Sequence, residues 1–245
     1  MEKIEYQTLS NFEDQYWWYL GLRQLVFKSL NQYAPQAHAS RLLDAGCGTG
    51  GLLSRCEEGA SFGLDFSSDA LQFCRGKNIS RIAQASITDI PFKADSFHCA
   101  VSLDVLCNIK DGRKALGELF RVLKPKGILI LNLPAYECLK SKHDRAVHID
   151  HRYRRGALVR ELKQAGFQIE LATYRNTILF PLLGLKRFAD KLFLGKENGM
   201  PSSDLTPLLS PVNQFLTGIL SLENYFLPRI IFPFGLSVFC VARKP

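Results

Sequence analysis

The chain has 245 residues, 47% of them hydrophobic, and a formal net charge of +8 at pH 7. That is enough apolar material for one sizeable core, and no shift in composition forces a second domain. No stretch reaches the ~20 uninterrupted apolar residues of a membrane span. The seven cysteines are scattered without a C-x-x-C pair, which points to small core fillers in a reducing cytoplasm rather than disulfides or zinc. The basic excess fits a nucleic acid, an anionic membrane surface or an anionic substrate, and is also common in proteins that bind none of these.

In chain order, Ser10-Asn11 reads as a cap for a helix carrying Trp18, Leu22, Leu25, Val26 and Leu30 on one face. Tyr16, Trp17, Trp18 and Tyr19 are more consecutive aromatics than one helical face can bury. Either the helix is wedged between two surfaces, or it is a lid whose aromatics cover a ligand and whose Arg23 pairs with that ligand's carboxylate. Leu42 to Gly51 reads LLDAGCGTGG. Arg41 to Asp44 is a short buried strand, and Leu52, Leu53 and Cys56 suggest one face of a helix after it. Between them Gly46, Gly48, Gly50 and Gly51 allow a sharp turn with bare backbone N–H groups. The spacing is neither the longer dinucleotide fingerprint nor a phosphate loop with its Lys-Ser/Thr.

Ser61 to Asp65 makes a second strand ending in an acid about 20 residues after Asp44. There an acid accepts hydrogen bonds from a ribose diol, with Phe66 beside it for a base. An exposed turn Asp before Ser67-Ser68 is the alternative. Further strands are expected at Arg81–Ala85, Ala100–Leu103, Gly127–Leu133, Phe167–Thr173 and Leu236–Lys244. Amphipathic helices are expected at Lys114–Leu123, stopped by K-P-K-G, and at Leu158–Ala165, capped by Gly166. The alternation implies an α/β, Rossmann-like, seven-stranded, mostly parallel sheet with helices on both faces.

Two stretches stand outside that plan. Pro134 to Tyr153 holds His143, Asp144, His148, Asp150, His151, Arg152 and Tyr153, so three of the five histidines fall together. His148 and His151 with Asp144 or Asp150 would make a divalent metal site. The lack of a Cys beside His148 and His151, and of H-E-x-x-H, argues for no metal. A solvated loop is a second reading, and a polar wall with a histidine general base is a third. Tyr174 to Gly235 is a long insertion between the last two strands. It has helical periods at Leu182, Leu185, Phe188 and Leu192, and again at Phe215, Ile219, Leu222 and Phe226, joined by a turn-rich link at Gly195–Ser210. With Lys186, Arg187, Lys191 and Arg229, it reads as a helical cap: a lid over a hydrophobic acceptor, a dimer interface or a patch on a membrane. The organisation is 1–40 helical lid, 41–173 core, 174–235 cap and 236–245 final strand.

The D-A-G-C-G-T-G turn resembles motif I of the class I S-adenosylmethionine (SAM)-dependent methyltransferases. Trp17-Trp18 followed by Arg23 is similar to the N-terminal helix of many small-molecule members. A-S-I-T-D-I-P-F, then D-S-F-H, resembles motifs II and III of the methyltransferase type 11-like family. Here Ser86 stands for the usual Asp, His98 for another, and Cys107-Asn108 for Glu-His. R-V-L-K-P-K-G-I-L and L-K-Q-A-G-F look like the approaches to strands five and six. The 143–153 stretch resembles an H-D-x-x-x-H-x-x-R-R-Y element, with His151 in place of the first Arg.

The resemblance implies a SAM site built from Trp18, Arg23, Asp44, Ala45, Gly46, Gly48, Asp65, Phe66, Ser86, Ile87 and Leu103, with S-adenosyl-L-homocysteine as product. It implies His148, His151 and Tyr153 as catalytic residues facing the methyl group, and an antiparallel last strand. The acceptor is expected to be a small molecule, hydrophobic or anionic, methylated on O or N: lipid-like, a glycan or a secondary metabolite. The expected location is cytoplasmic, with peripheral membrane contact and a homodimer as open options. The alternatives are an RNA or protein methyltransferase, or a non-catalytic SAM-binding scaffold. Against base N-methylation, the place of an N-P-P-Y tetrapeptide reads Asp104-Val105-Leu106-Cys107, and no Pro-Cys pair is present for cytosine C5.

Overall fold

The computed structural model describes residues 3–35, 41–57, 59–184, 207–227 and 230–245. The expected positions Leu185, Lys186, Arg187, Phe188, Lys191, Leu192 and Arg229, and the first part of the turn-rich link, lie outside the described residues. The side chain of His143 does too.

Seven strands form one sheet in the order β3-β2-β1-β4-β5-β7-β6. They are β1 Leu42–Ala45, β2 Ser61–Asp65, β3 Ile82–Gln84, β4 Phe97–Leu103, β5 Leu123–Pro134, β6 Gln168–Arg175 and β7 Ser237–Arg243. β1 to β5 pair in parallel, and β7 runs antiparallel between β5 and β6. The helices are α1 Lys3–Phe12, α2 Trp17–Tyr33, α3 Ser68–Gly76, α4 Gly112–Val122, α5 Lys142–Ala146, α6 Arg155–Gln164 and α7 Ser210–Phe226. This is the expected Rossmann-like architecture.

The two-residue period of the strands divides the core. Leu43, Ala100, Leu129, Leu131, Leu133 and Tyr174 pack with Leu116 and Leu119 of α4 and Leu158 and Leu162 of α6. Leu42, Cys99, Val101, Ile128, Ile130, Leu171 and Phe239 pack on the other face with Leu22, Leu25, Val26 and Leu30 of α2. Each fully buried aliphatic side chain here is worth about 1.5–3 kcal/mol. By the same alternation, Asp44, Leu103, Asn132, Thr173 and Arg175 stand on the α2 face as their strands reach the carboxyl edge.

Three local expectations are corrected. Ser10-Asn11 does not start a helix but lies in the last turn of α1, and the chain breaks at 13–16 before α2 begins at Trp17. The break turns Glu13 inward, where its carboxylate accepts the Thr49 hydroxyl at 2.5 Å and pairs with Lys77. After the glycine turn there is only a 3-10 turn at Leu53–Arg55, because the turn uses much of the connection to β2. K-P-K-G does not precede β5 but belongs to it, with Pro125 and Lys126 in an exposed, irregular segment where Lys126 has φ +65°.

The described part of the insertion supplies α7, which lies along α2. A Cβ on Gly21 would stand 2.5 Å from Leu220 Cδ1, so the two backbones meet closely only because residue 21 is glycine. Asn224 Nδ2 donates to Gly21 O at 2.8 Å, and Asn213 Oδ1 accepts the Trp17 N–H at 2.9 Å. Trp17, Leu179 and Leu220 form a separate small core there. Val212, Phe215, Leu222 and Phe226 are exposed on the outer side of α7.

Candidate active site

The glycine turn is fixed from both sides. Ala45 O accepts the Ser102 hydroxyl at 2.8 Å, and the N–H groups of Gly46 and Cys47 both donate to Leu64 O. Gly46 has φ +91°, and a Cβ there would stand 2.1 Å from Val105 Cγ2. Gly48, at φ +53°, donates its N–H to Asp65 Oδ2 at 2.9 Å, while Ser67 N–H reaches Asp65 Oδ1 at 2.9 Å. Asp65 therefore ties the turn to the start of α3. An ionised carboxylate offers about four acceptor positions, so room remains for a diol. Phe66 beside it is 78% exposed.

The walls of this pocket are acidic. Asp44 is buried, and its carboxyl is pushed up to about 8, first by burial and then by the charges of Asp65 and Glu13. Burial also raises Asp65. Crowded carboxyls of this kind are relieved by a ligand carrying positive charge. Sequence reasoning missed the role of Glu13, which joins Thr49 and Lys77 around the turn; a Cβ on Gly51 would stand 2.2 Å from its Oε2. Arg23 donates to Gly51 O at 2.6 Å, Glu13 O at 3.1 Å and Asp14 at 3.2 Å. Its visible work is to strap the N-terminal segment onto the glycine turn.

The roof comes from α1 and the first turn of α2. Leu9 lies 3.5 Å from the place of a Gly48 Cβ, and Tyr6 sits against Ser67 and Asp65. Of the aromatic run, Trp17 is anchored in the α7 contact, and the Arg175 guanidinium lies 5.5 Å from the Trp18 ring centroid. Tyr19 is the one that faces Asp104 and Glu13, and burial raises its phenol pKa. Ser86 spends its hydroxyl on Thr88 at 2.7 Å, and Ile87 is buried in the α4-side core. His98, exposed at the opposite end of β4 from Leu103, contacts Lys124.

Asp104 directly follows Leu103. It adopts φ +57°, a left-handed conformation worth about 1–3 kcal/mol of strain in a non-glycine residue. Asn132 holds it there: its Nδ2 donates to Asp104 Oδ1 at 2.9 Å, and its carbonyl accepts the Asp104 N–H at 2.8 Å. Burial pushes this carboxyl up to about 6, against the opposing pull of Arg175 and Asn132. Such a group suits proton acceptance near neutral pH.

The expected trio of His148, His151 and Tyr153 is not brought to this place. Tyr153 is 4% exposed in the core shared with α4 and α6, on the other face of the sheet. His151 lies 4.7 Å from it, ring to ring, and both line a cavity of about 270 Å³ with Ile109, Gly112, Arg113 and Glu161. Burial raises the Tyr153 phenol, so it stays protonated and takes no proton near neutral pH. His148 is exposed at φ +58°. Arg152 and Asp144 form a buried bidentate pair at 2.6 and 2.7 Å, which leaves neither for a metal or an acceptor. The physical reason is the bridge between Ala135 and Tyr153, which carries the loop past the sheet edge to the α4 side.

A seven-stranded sheet of this order, a glycine turn after β1 and an acid closing β2 at the same edge define a class I, SAM-dependent methyltransferase fold. Residues 43–131, from β1 into β5, match the family model described as a methyltransferase domain. The ubiquinone/menaquinone biosynthesis C-methyltransferase of Bdellovibrio bacteriovorus is 30% identical over 136 residues, covering 49% of this chain and 57% of that protein. The tRNA (carboxymethyluridine(34)-5-O)-methyltransferase of Arabidopsis thaliana is 31% identical over 101 residues, 40% of this chain and 25% of the other. The chain thus spans a quarter to little more than half the length of these curated relatives. Among solved structures, a SAM-dependent methyltransferase of Mesorhizobium loti superposes with a TM-score of 0.57 at 17% identity, over 90% of this chain and 98% of the other.

Proposed function

We propose that this protein transfers a methyl group from SAM to a small-molecule acceptor seated over the carboxyl ends of β4 and β5, beneath α1, α2 and α7. The observation that carries this is the bond from Gly48 N–H to Asp65, which presets the glycine turn and the diol-binding acid as one unit. Gly46, Gly48, Ala45 and Asp44 would hold the methionine part of the donor, Asp65 and Phe66 its nucleoside, and Ser86 and Ile87 the far edge of its base. When bound, SAM supplies an electrophilic methyl on a positively charged sulfur. The acidic walls suit that charge, and the roof excludes water and aligns the nucleophile.

Asp104, rather than His148, His151 or Tyr153, is the group in position to take a proton from the acceptor. The nucleophile is then an oxygen, a nitrogen, or a ring carbon activated by a neighbouring hydroxyl. The last option draws support from the quinone-methylating relative. No helix of the described residues is long and apolar enough to cross a membrane, so an apolar acceptor would be met from the membrane surface or from solution.

Calorimetric titration with S-adenosylhomocysteine tests the reading. The wild-type chain should bind in the micromolar range, and Asp65→Ala should weaken binding about 10- to 100-fold, the loss expected for a charge-assisted hydrogen bond. No binding by the wild type, or undiminished binding by the variant, would overturn it.

A further inference from the structure

Arg175 ends β6 on the α2 face and is 0% exposed. Its Nε, Nη1 and Nη2 have no hydrogen-bond partner among the described residues. The two nearest acids are engaged elsewhere. Asp104 is bonded to Asn132, and the Glu223 carboxylate accepts the N–H groups of Asn176, Thr177 and Ile178 at 2.5, 2.8 and 3.0 Å. The backbone of Arg175 is clamped, since a Cβ on Gly235 would stand 2.3 Å from its carbonyl oxygen. The guanidinium is thus held in place with five unused donors, under the Trp18 ring and facing Asp104. Asn132 Oδ1, on the same face, is also unpartnered.

A buried guanidinium without a partner is costly, and an apolar side chain of similar volume would be the more stable choice. A residue kept in that condition calls for a ligand that completes it. We propose that Arg175 anchors a carboxylate group of the methyl acceptor, a proposal that rests on the methyl-transfer reading above. The planar fork of arginine takes a carboxylate through two parallel hydrogen bonds. The backbone of β6 lies four strand spacings from β1, roughly 19 Å across the sheet, which favours the acceptor over the cofactor as the source of that carboxylate. Asp104 limits the charge: beside its ionised carboxylate a dianion would be repelled more strongly than a monoanion. An acceptor anchored at Arg175 presents its next few atoms to Asp104, where a proton would be removed.

The test uses the full chain saturated with S-adenosylhomocysteine, with acetate and benzoate as probes and benzyl alcohol as the neutral control. The wild type should be stabilised against heat by a carboxylate and not by the alcohol. Arg175→Met should weaken carboxylate binding by at least about 30-fold. The same variant should keep homocysteine-product affinity within about twofold and melt no lower than the wild type when unliganded. Arg175→Lys should retain part of the carboxylate response. The proposal is overturned if neither probe stabilises the wild type, if Arg175→Met binds carboxylates normally, or if it loses the homocysteine product. It is also overturned if both variants fail to fold, which would make Arg175 structural. Should the wild type not bind the homocysteine product, the methyl-transfer reading fails by itself. The same carboxylate titration on the unloaded chain then still decides the role of Arg175.

Discussion

Asp44 shows how burying one carboxyl carries a cost that depends on pH. In the unfolded chain it titrates near 3.8, and in the folded chain near 8, first because it is buried and then because Asp65 and Glu13 stand close. Between those values the folded state binds the extra proton, so stability falls as pH rises through that window. Asp44→Asn should flatten this decline in thermal melts taken from pH 5 to pH 8. Binding of the positively charged donor favours the ionised form, so it should release a proton at pH 7. Titration enthalpies in phosphate and Tris would then differ for the wild type and coincide for Asp44→Asn. Asp104 gives a separate signature. As a base with a carboxyl near 6, it predicts turnover that rises with pH through about 6. Asp104→Asn should lower conversion of SAM to its product by about 10²-fold or more. A flat profile, with turnover retained, would remove Asp104 from the chemistry.

At the scale of elements, the decisive contact is α2 against α7. Gly21 meets Leu220, Trp17 fills the space beside it, and Asn213 and Asn224 bond across the joint. Leu220→Ala should cost about 2–5 kcal/mol in urea denaturation, the range for emptying a buried leucine site. Gly21→Val should also destabilise, by overpacking against the same side chain. Because the two share one space, Gly21→Ala combined with Leu220→Ala should cost less than the sum of the two singles. Additive costs would show that the helices do not meet as described. The period of Trp18, Leu22, Leu25 and Leu30 was legible, because amphipathic spacing is local. The break at Glu13 was not, since what turns that residue inward is Thr49 and Lys77, both far along the chain.

Over the whole molecule, α1, α2 and α7 make a roof on one side of the carboxyl edge. Glu13 with Thr49 and Lys77, and Arg23 with Gly51, latch it to the sheet. Leu9 and Tyr6 lie directly over Gly48 and Asp65. Hydrogen exchange of amides in residues 3–20 should therefore slow when S-adenosylhomocysteine binds, while β4 and β5 stay equally protected with and without it. Exchange unchanged in the roof would mean that it does not close on the cofactor.

What the sequence by itself determined was local and periodic. The strand–glycine–acid pattern, the acid ending β2, and the alternation of strands and helices need only neighbouring residues to be read, and they specify the class. The tertiary structure decided which face of the sheet each polar group reaches. The clustered His148, His151 and Tyr153 looked catalytic because they are close in sequence, yet the bridge at Ala135 takes His151 and Tyr153 to the α4 side and His148 is left exposed. Arg175 had only a faint signal, the alternation Leu171, Thr173, Arg175 along a strand already expected to end at Thr173. Strand register, set by pairing with β7 and β5, is what aligned it with Asn132 and Asp104. A shift of one residue in that pairing would have turned every one of these side chains to the opposite face.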